Sequence, residues 1–517
     1  MLRQGGTAAD AALATMIALT VVEPQSSGIG GGGFLVYSDH GQQPLTYDGR
    51  ETAPMAATGD WFLKDGKPMT SGEAVPGGKS VGVPGNIRLA ARAHADFGTR
   101  PWAALFDPAI RLARDGFAMT RRLNAALRSS RTTSALSAEA RAIFYGPDGE
   151  PLPAGTIIRN PALATFLAHL AARGPDSFYV GPNAQGLAVA VSSAERNPAP
   201  MTVGDVASYD AKKREPVCGE YRRHKICGMG PPSSGATTVF AILKQLERFD
   251  LAALGPQLPT SWHLIAESMR LGFADRDRYL ADPLYVPVPV AGLIDPEYLA
   301  NRSALIAPDR TLATVTAGTP RGATPMTAGI EKVEAGTSHL VAVDRWGAVA
   351  SYTSTIESAF GSGLMVNGYY LNNELTDFSF LPEKDGLPVA NRVEGGKRPR
   401  SSMAPTIVFA PDGRIRLAVG AAGGATIIAQ VAKAIIGVID WNLSAQEAIA
   451  LPTVFAPGNT LFVERGSSHE AMIPALRALG HKVESRNPSF KANAIEWKDG
   501  HWVGAADPRS EGRAVSE

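Results

Sequence analysis

Apolar and polar positions along the chain alternate between helical and strand spacing, with strands dominant from residue 337 to about 420. Spacings of three and four predict helices over 7–22, 86–97, 103–115, 161–173, 236–248 and 260–281. In the last of these, His263, Glu267, Met269, Arg270, Phe273 and Arg278 fall at ordinary amphipathic spacing. One strand is plain among them, at 34–38, and the glycine-rich stretch 28–33 leads into it. The run Gly-Pro-Pro-Ser-Ser-Gly at 230–235 breaks the chain before the helix at 236. Residues 309–336, rich in Thr, Gly, Ala and Pro, read as an exposed loop. Strands then dominate to about residue 420, and helices follow at 425–440 and 444–450.

The loop ends in Glu334-Ala335-Gly336-Thr337-Ser338-His339, where a threonine after Ala-Gly opens a strand. A self-cleaving amidohydrolase places its nucleophile in such a position. Cleavage between Gly336 and Thr337 gives Thr337 a free α-amine beside its own hydroxyl, so one residue supplies nucleophile and base. Residues 340–343 and 348–355 read as a hairpin around Asp344-Arg345-Trp346-Gly347. A regular turn pairs Thr337 with Ser354, and a one-residue bulge at Gly347 pairs it with Thr355. Either register leaves Thr353 or Thr355 near the Thr337 hydroxyl. Taken alone, the hairpin fits ordinary Thr, Ser and Val filling of β positions better.

Composition narrows the field without naming a chemistry. At 517 residues, 44% hydrophobic and 19% charged, the chain can bury a large core. Lys plus Arg is 50 against 49 Asp plus Glu, which gives no global pull toward nucleic acid or anionic membrane. The basic run Lys397-Arg398-Pro399-Arg400 reads as a solvated loop rim or as a site for a substrate carboxylate. Gly30 to Gly33 precede a strand and lack a Gly-Lys-Ser/Thr ending, so close backbone packing explains them better than phosphate binding. Nine histidines and two cysteines form no metal-ligand spacing. A hairpin turning at Arg222-Arg223 sets Cys218 opposite Cys227, as a disulfide or as two thiols. Residues 8–22 resemble a signal peptide, but Asp10 interrupts them and Thr7 reads as an N-cap, so the segment is read as a structural helix. No other stretch approaches the ~18 apolar residues of a membrane span.

Several separated motifs share one order. They are Ser27 to Phe34, Tyr47-Asp48-Gly49-Arg50-Glu51-Thr52-Ala53-Pro54, Thr337-Ser338-His339, Leu371 to Phe378, Lys397 to Met403, and Gly423-Gly424. Together they resemble the γ-glutamyltransferase family of N-terminal-nucleophile hydrolases, from about residue 5 to Asp507-Pro508-Arg509-Ser510. The resemblance implies an α+β fold, a four-layer αββα sandwich. It implies a large subunit, 1–336, and a small subunit, 337–517, cut from one precursor and intertwined in one fold. It implies Thr337 as nucleophile, Thr355 to position it, and Gly423 and Gly424 as backbone donors to the oxyanion. Arg50, Ser401 and Ser402 are then expected to hold the donor's α-carboxylate, and Glu374 and Asp377 its ammonium.

The expected substrate is glutathione or another γ-glutamyl compound, with water or an amino acid or peptide as acceptor. No cofactor, nucleic acid or membrane span is expected, and the family habit points to the periplasm or secretion. Two departures stand out. Where the best-known members carry an asparagine that helps hold the substrate amine, this chain has Glu357, which is expected either to pair with that ammonium or to signal a changed substrate. The segment from Phe380 to Lys397 is short and lacks tyrosine, which predicts a more open pocket. A related glutaryl, cephalosporin or oxamate-like amidase with the same nucleophile is the alternative, and an unprocessed binding protein is a third reading.

Overall fold

Eleven strands pair into two antiparallel sheets. The chain is described here by a computed structural model covering residues 1–329, 336–487 and 491–516. The strands are β1 (Gly32–Ser38), β2 (Leu45–Asp48), β3 (Lys212–Arg214), β4 (Val217–Tyr221), β5 (His224–Gly228) and β6 (Ser338–Val343). They continue with β7 (Val349–Thr355), β8 (Thr406–Phe409), β9 (Ile415–Ala422), β10 (Lys491–Lys498) and β11 (His501–Ala506). One sheet has five strands in the order β6-β7-β1-β2-β3, and the other has six in the order β11-β10-β9-β8-β5-β4. Residues from both sides of residue 337 thus interleave in each sheet.

Strand alternation fixes which face is which. Phe34 and Val36 of β1 pack with Ile407, Val408, Leu417 and Val419 of the second sheet. Leu35 and Tyr37 turn the other way, into a core with Leu13 and Ile17 of helix α1 (Ala8–Val22). Helices α1 and α2 (Asn86–Phe97) cover the five-stranded sheet. Helices α3 (Gly235–Leu246) and α5 (Thr426–Ile439) cover the six-stranded one, and α4 (Pro259–Tyr279) packs onto α3. The result is the expected four-layer αββα sandwich of an α+β chain.

The helix over 7–22 is a structural element, as expected. Thr7 caps it in a reciprocal box with Asp10, whose buried carboxylate also accepts the Thr99 and Arg100 amides. The helix expected over 103–115 is broken at Phe106, because Pro108 fits only the first turn of the helix Asp107–Asp115. Cys218 and Cys227 pair across β4 and β5 and are joined by a disulfide. Among the described residues no helix is long and apolar enough to cross a membrane. Residues 330–335, part of the expected loop, lie outside the described residues.

Candidate active site

The β6–β7 hairpin adopts the bulged register, with Ser338 opposite Ser354 and Val343 opposite Val349. Gly347 has φ 90°, and Asp344 caps the turn by accepting the Trp346 and Ala348 amides on one oxygen. The regular-turn alternative is therefore set aside, and Thr337 extends the strand toward Thr355. The Thr337 hydroxyl donates to Thr355 Oγ1 at 3.1 Å, and the Glu357 amide donates to that same oxygen at 2.7 Å. In the uncut chain the Thr337 N–H donates to the Ser26 carbonyl at 3.2 Å, which also takes the Ile356 N–H.

Backbone crowding marks this spot. A Cβ on Gly336 would lie 1.6 Å from the Glu357 carbonyl oxygen, so only glycine fits before the nucleophile. Thr337 itself has φ 107° and Glu357 φ 72°. For non-glycine residues, and above all for a β-branched one, these are strained conformations of the kind found at functional sites. The glycine run fulfils its expected role. A Cβ on Gly31 would come within 2.0 Å of the Thr355 carbonyl.

Thr337 and Thr355 open onto a small pocket that is also lined by Arg50, Glu357, Glu374, Asp377, Ser401 and Met403. Every one of these except Met403 carries a site expectation from the sequence. Arg50 is 1% exposed and lines the pocket. Its guanidinium pairs with Glu374 and Asp377 and donates to the Pro399 and Arg400 carbonyls at 3.0 and 2.9 Å. Burial works against its charge, but Glu374, Asp377 and Glu51 outweigh burial and raise its pKa. Burial lifts the Glu374 carboxyl well above the usual range, Arg50 pulls it back only in part, and Glu51, Asp377 and Glu357 push it further. Glu357 Oε2 accepts from Asn373 Nδ2 at 2.5 Å and from the Ser358 hydroxyl. Its other oxygen is buried and has no hydrogen-bond partner among the described residues. The pocket thus carries one guanidinium against three lining carboxylates.

Other expectations fare differently. Ser401 lines the pocket, whereas the Ser402 hydroxyl is turned away and accepts from Arg276 at 2.8 Å. Gly423 (φ 125°) and Gly424 (φ 60°) form the corner between β9 and α5, in the sheet facing the Thr337 hairpin, and are not among the pocket's lining residues. The basic run is corrected. Lys397, Arg398 and Arg400 are buried braces, neither a solvated rim nor pocket lining. Lys397 donates to the Ala390 carbonyl, Arg398 pairs with Asp48 at 2.7 Å, and Arg400 donates to the Arg276 carbonyl. Arg50, Glu357, Glu374 and Thr337, which line the pocket, are all buried.

Residues without any sequence-based role complete the surroundings. Ser338 donates to Glu23 at the end of α1, and Lys491 pairs with that same carboxylate while donating to Ser338 Oγ at 3.1 Å. The Lys491 N–H meets Gln430 Oε1, and Gln430 donates to the Ala422 carbonyl just before Gly423. His339 is buried with Nδ1 2.8 Å from Thr353 Oγ1, and burial, then Lys491, lowers its pKa to about 3. Asn372 Oδ1 accepts the Gly82 and Glu374 amides and fixes the acidic corner. Glu23, Ser338 and Lys491 lie 153 to 468 residues apart, and no local pattern announces their meeting. Among the described residues no cluster of His, Cys, Asp or Glu could hold a metal.

Comparison with known proteins shows a family whose named members include both glutathione hydrolases and acylases. The family model described as Gamma-glutamyltranspeptidase matches residues 1–516. The chain is 36% identical to the glutathione hydrolase proenzyme of Bacillus subtilis (strain 168), over 100% of this chain and 88% of that protein. It is 35% identical to the acylase ACY 1 proenzyme of Pseudomonas sp. (strain V22), over 100% and 90%. Among solved structures, cephalosporin acylase from Bacillus halodurans matches with a TM-score of 0.87 at 26% identity, over 100% of this chain and 92% of that one. The Helicobacter pylori gamma-glutamyltranspeptidase matches with a TM-score of 0.59 at 34% identity, over 61% of this chain and 90% of that one. With Thr337 and Thr355 lining an acidic pocket and a family match over nearly all its length, the chain belongs to the gamma-glutamyltranspeptidase family of enzymes, within the N-terminal-nucleophile hydrolases.

Proposed function

We propose that the chain is a proenzyme that cuts itself between Gly336 and Thr337 and then transfers γ-glutamyl groups from glutathione-like donors to water or to an amino acid or peptide amine. The observation that carries this reading is the pocket itself. Its lining joins the Thr337 hydroxyl, one buried guanidinium and three carboxylates, the complement of a small donor bearing both a carboxylate and an ammonium.

Processing begins when the Thr337 hydroxyl attacks the Gly336 carbonyl carbon. The Gly336–Thr337 C–N bond breaks as the Thr337 nitrogen takes the proton, and water hydrolyses the resulting ester. Chains 1–336 and 337–517 remain interleaved in both sheets. In turnover the Thr337 amine accepts the hydroxyl proton while Oγ1 attacks the γ-carbonyl carbon. Thr355, which holds that hydroxyl at 3.1 Å, fixes the line of attack. Gly423 and Gly424 offer N–H donors to the oxyanion. The amine leaves with a proton, and water or an acceptor amine then attacks the ester and regenerates the Thr337 hydroxyl. Arg50 and Ser401 hold the α-carboxylate, as Ser402 does once turned from Arg276, and Glu357, Glu374 and Asp377 face the ammonium. The Cys218–Cys227 disulfide supports an oxidising, periplasmic or secreted location.

A second reading, a related acylase, is favoured by the TM-score of 0.87 to a cephalosporin acylase. Chromophore release from a γ-glutamyl anilide against a glutaryl anilide, which lacks only the α-amine, separates the two. A strong γ-glutamyl preference is expected, and equal or reversed preference would give the site to the acylase reading. Thr337→Ala should remain one inactive 517-residue chain on a denaturing gel, and a processed, active variant would end the proposal.

A further inference from the structure

Behind the pocket lies a carboxyl group that the acyl-transfer chemistry leaves without a task. Glu51 is wholly buried, and neither of its side-chain oxygens has a hydrogen-bond partner among the described residues. One oxygen of Glu374 is in the same position. Arg50 cannot serve both. Its NH1 stands 3.9 Å from Glu51 Oε2, and it is already engaged by Glu374, Asp377 and two carbonyls. The packing leaves little slack around Glu51. A Cβ on Gly32 would lie 2.5 Å from Glu51 Oε2, and one on Gly82 2.7 Å from Glu51 Cβ. Two neighbouring carboxylates, each with an idle oxygen in a dry site, can satisfy one another only by sharing a proton.

We propose that Glu51 is a positioning residue that stays protonated at neutral pH and donates a hydrogen bond to Glu374, so that it adds no charge competing with the donor's carboxylate for Arg50. The surrounding groups agree. The charged side chains facing Glu51 are Arg50, Glu374 and Asp377, and the Tyr179, Tyr209 and Tyr352 hydroxyls near it stay neutral because burial raises their pKa values. Burial is the main influence on Glu51 and raises its pKa to about 8, with Arg50 opposing. Around neutral pH the two carboxyls, sharing one proton, carry a single negative charge. Above the Glu51 pKa a second carboxylate competes for Arg50 and repels the incoming α-carboxylate, so donor capture weakens as pH rises.

The consequence for the donor rests on the γ-glutamyl reading, whereas the shared proton does not, and the test separates them. Infrared difference spectra of the unliganded enzyme at neutral pH, wild type minus Glu51→Gln, should contain a protonated-carboxyl C=O band that vanishes when the wild type is taken well above pH 8. Its absence would overturn the proposal. The pH profile of kcat/KM for the γ-glutamyl anilide should fall by up to about tenfold per unit above the Glu51 pKa, the slope of one proton. In Glu51→Gln, whose amide keeps a donor toward Glu374, that limb should move up to the ionisation of the donor's own ammonium. An unmoved limb would also refute the proposal. If Glu51→Gln does not fold, Glu374→Gln serves, because its amide donates to Glu51 and removes the need for the proton, so the same band should be lost. A band without γ-glutamyl turnover at any pH would uphold the shared proton and sink the donor assignment alone.

Discussion

Replacing Thr355 by valine keeps the shape of a buried β-branched side chain and removes one oxygen. Two hydrogen bonds end on that oxygen, from the Thr337 hydroxyl at 3.1 Å and the Glu357 amide at 2.7 Å. The orphaned Glu357 N–H, buried and at φ 72°, costs about 1–3 kcal/mol. The freed Thr337 hydroxyl loses its line of attack, and about 1.4–2.7 kcal/mol of lost orientation corresponds to a ten- to hundredfold slower step. Both processing and turnover use this hydroxyl, so both should slow together. Thr355→Ser keeps the oxygen and should restore most of each rate. The assay follows appearance of the two chains on a gel and, for matured protein, kcat with the γ-glutamyl anilide, with urea unfolding as the stability check. Wild-type rates in Thr355→Val, or an equal loss in Thr355→Ser, would refute the role given to this hydroxyl.

Glu357→Asn removes one carboxylate from the ammonium side and should cut the γ-glutamyl over glutaryl preference about tenfold, the worth of one hydrogen bond to a charged group, with an unchanged ratio counting against that role. His339 has its pKa lowered from 6.5 to about 3, chiefly by burial, so the unfolded chain binds its proton first on acidification. Its contribution is fully present above pH 6.5 and is lost as pH falls toward 3, by up to about 1.4 kcal/mol per unit. Urea unfolding from pH 7 to 4 should therefore steepen in wild type relative to His339→Gln. Replacing Cys218 and Cys227 together by serine opens a link of sequence separation 9 and should cost about 2–3 kcal/mol without changing kcat, because the pair lies in β4 and β5 at the far edge of the second sheet.

The sequence was most legible where a local rule applies and least where partners are distant. Helix periods located α1 to α5 within a few residues, and the Thr7–Asp10 box marked the start of α1. Hairpin register was open by one residue because turn length alone does not reveal a bulge. Asp344 decides it, holding the Trp346 and Ala348 amides on one oxygen and the Ala8 amide of α1 on the other. The basic run at 397–400 was misjudged for a related reason. Asp48, partner of Arg398, stands 350 residues earlier in the chain, and runs of charge are solvated unless such a partner exists. Site residues were named by motif, but motif did not reveal that Arg50 is engaged on several sides, or that Glu51 is enclosed.

What remains is why the proposed cut falls at this bond and no other. Gly336 is pressed against the Glu357 carbonyl, and the residues on either side of that contact, Thr337 and Glu357, both sit at positive φ. Such backbone strain is of the order of 1–3 kcal/mol per residue and persists only while its surroundings enforce it. Here the surroundings are rigid. The Ser26 carbonyl holds the Thr337 and Ile356 amides, the Thr355 hydroxyl holds the Glu357 amide, and Asn373 holds the Ser358 amide. Relaxation through the sheet is therefore blocked. Scission of the Gly336–Thr337 bond relieves the crowding at Gly336 and leaves those hydrogen bonds in place, Thr337 keeping its nitrogen as a donor to Ser26. The same strain opposes re-formation of the peptide bond, so cleavage is favoured in one direction and leaves the nucleophile already aligned with Thr355.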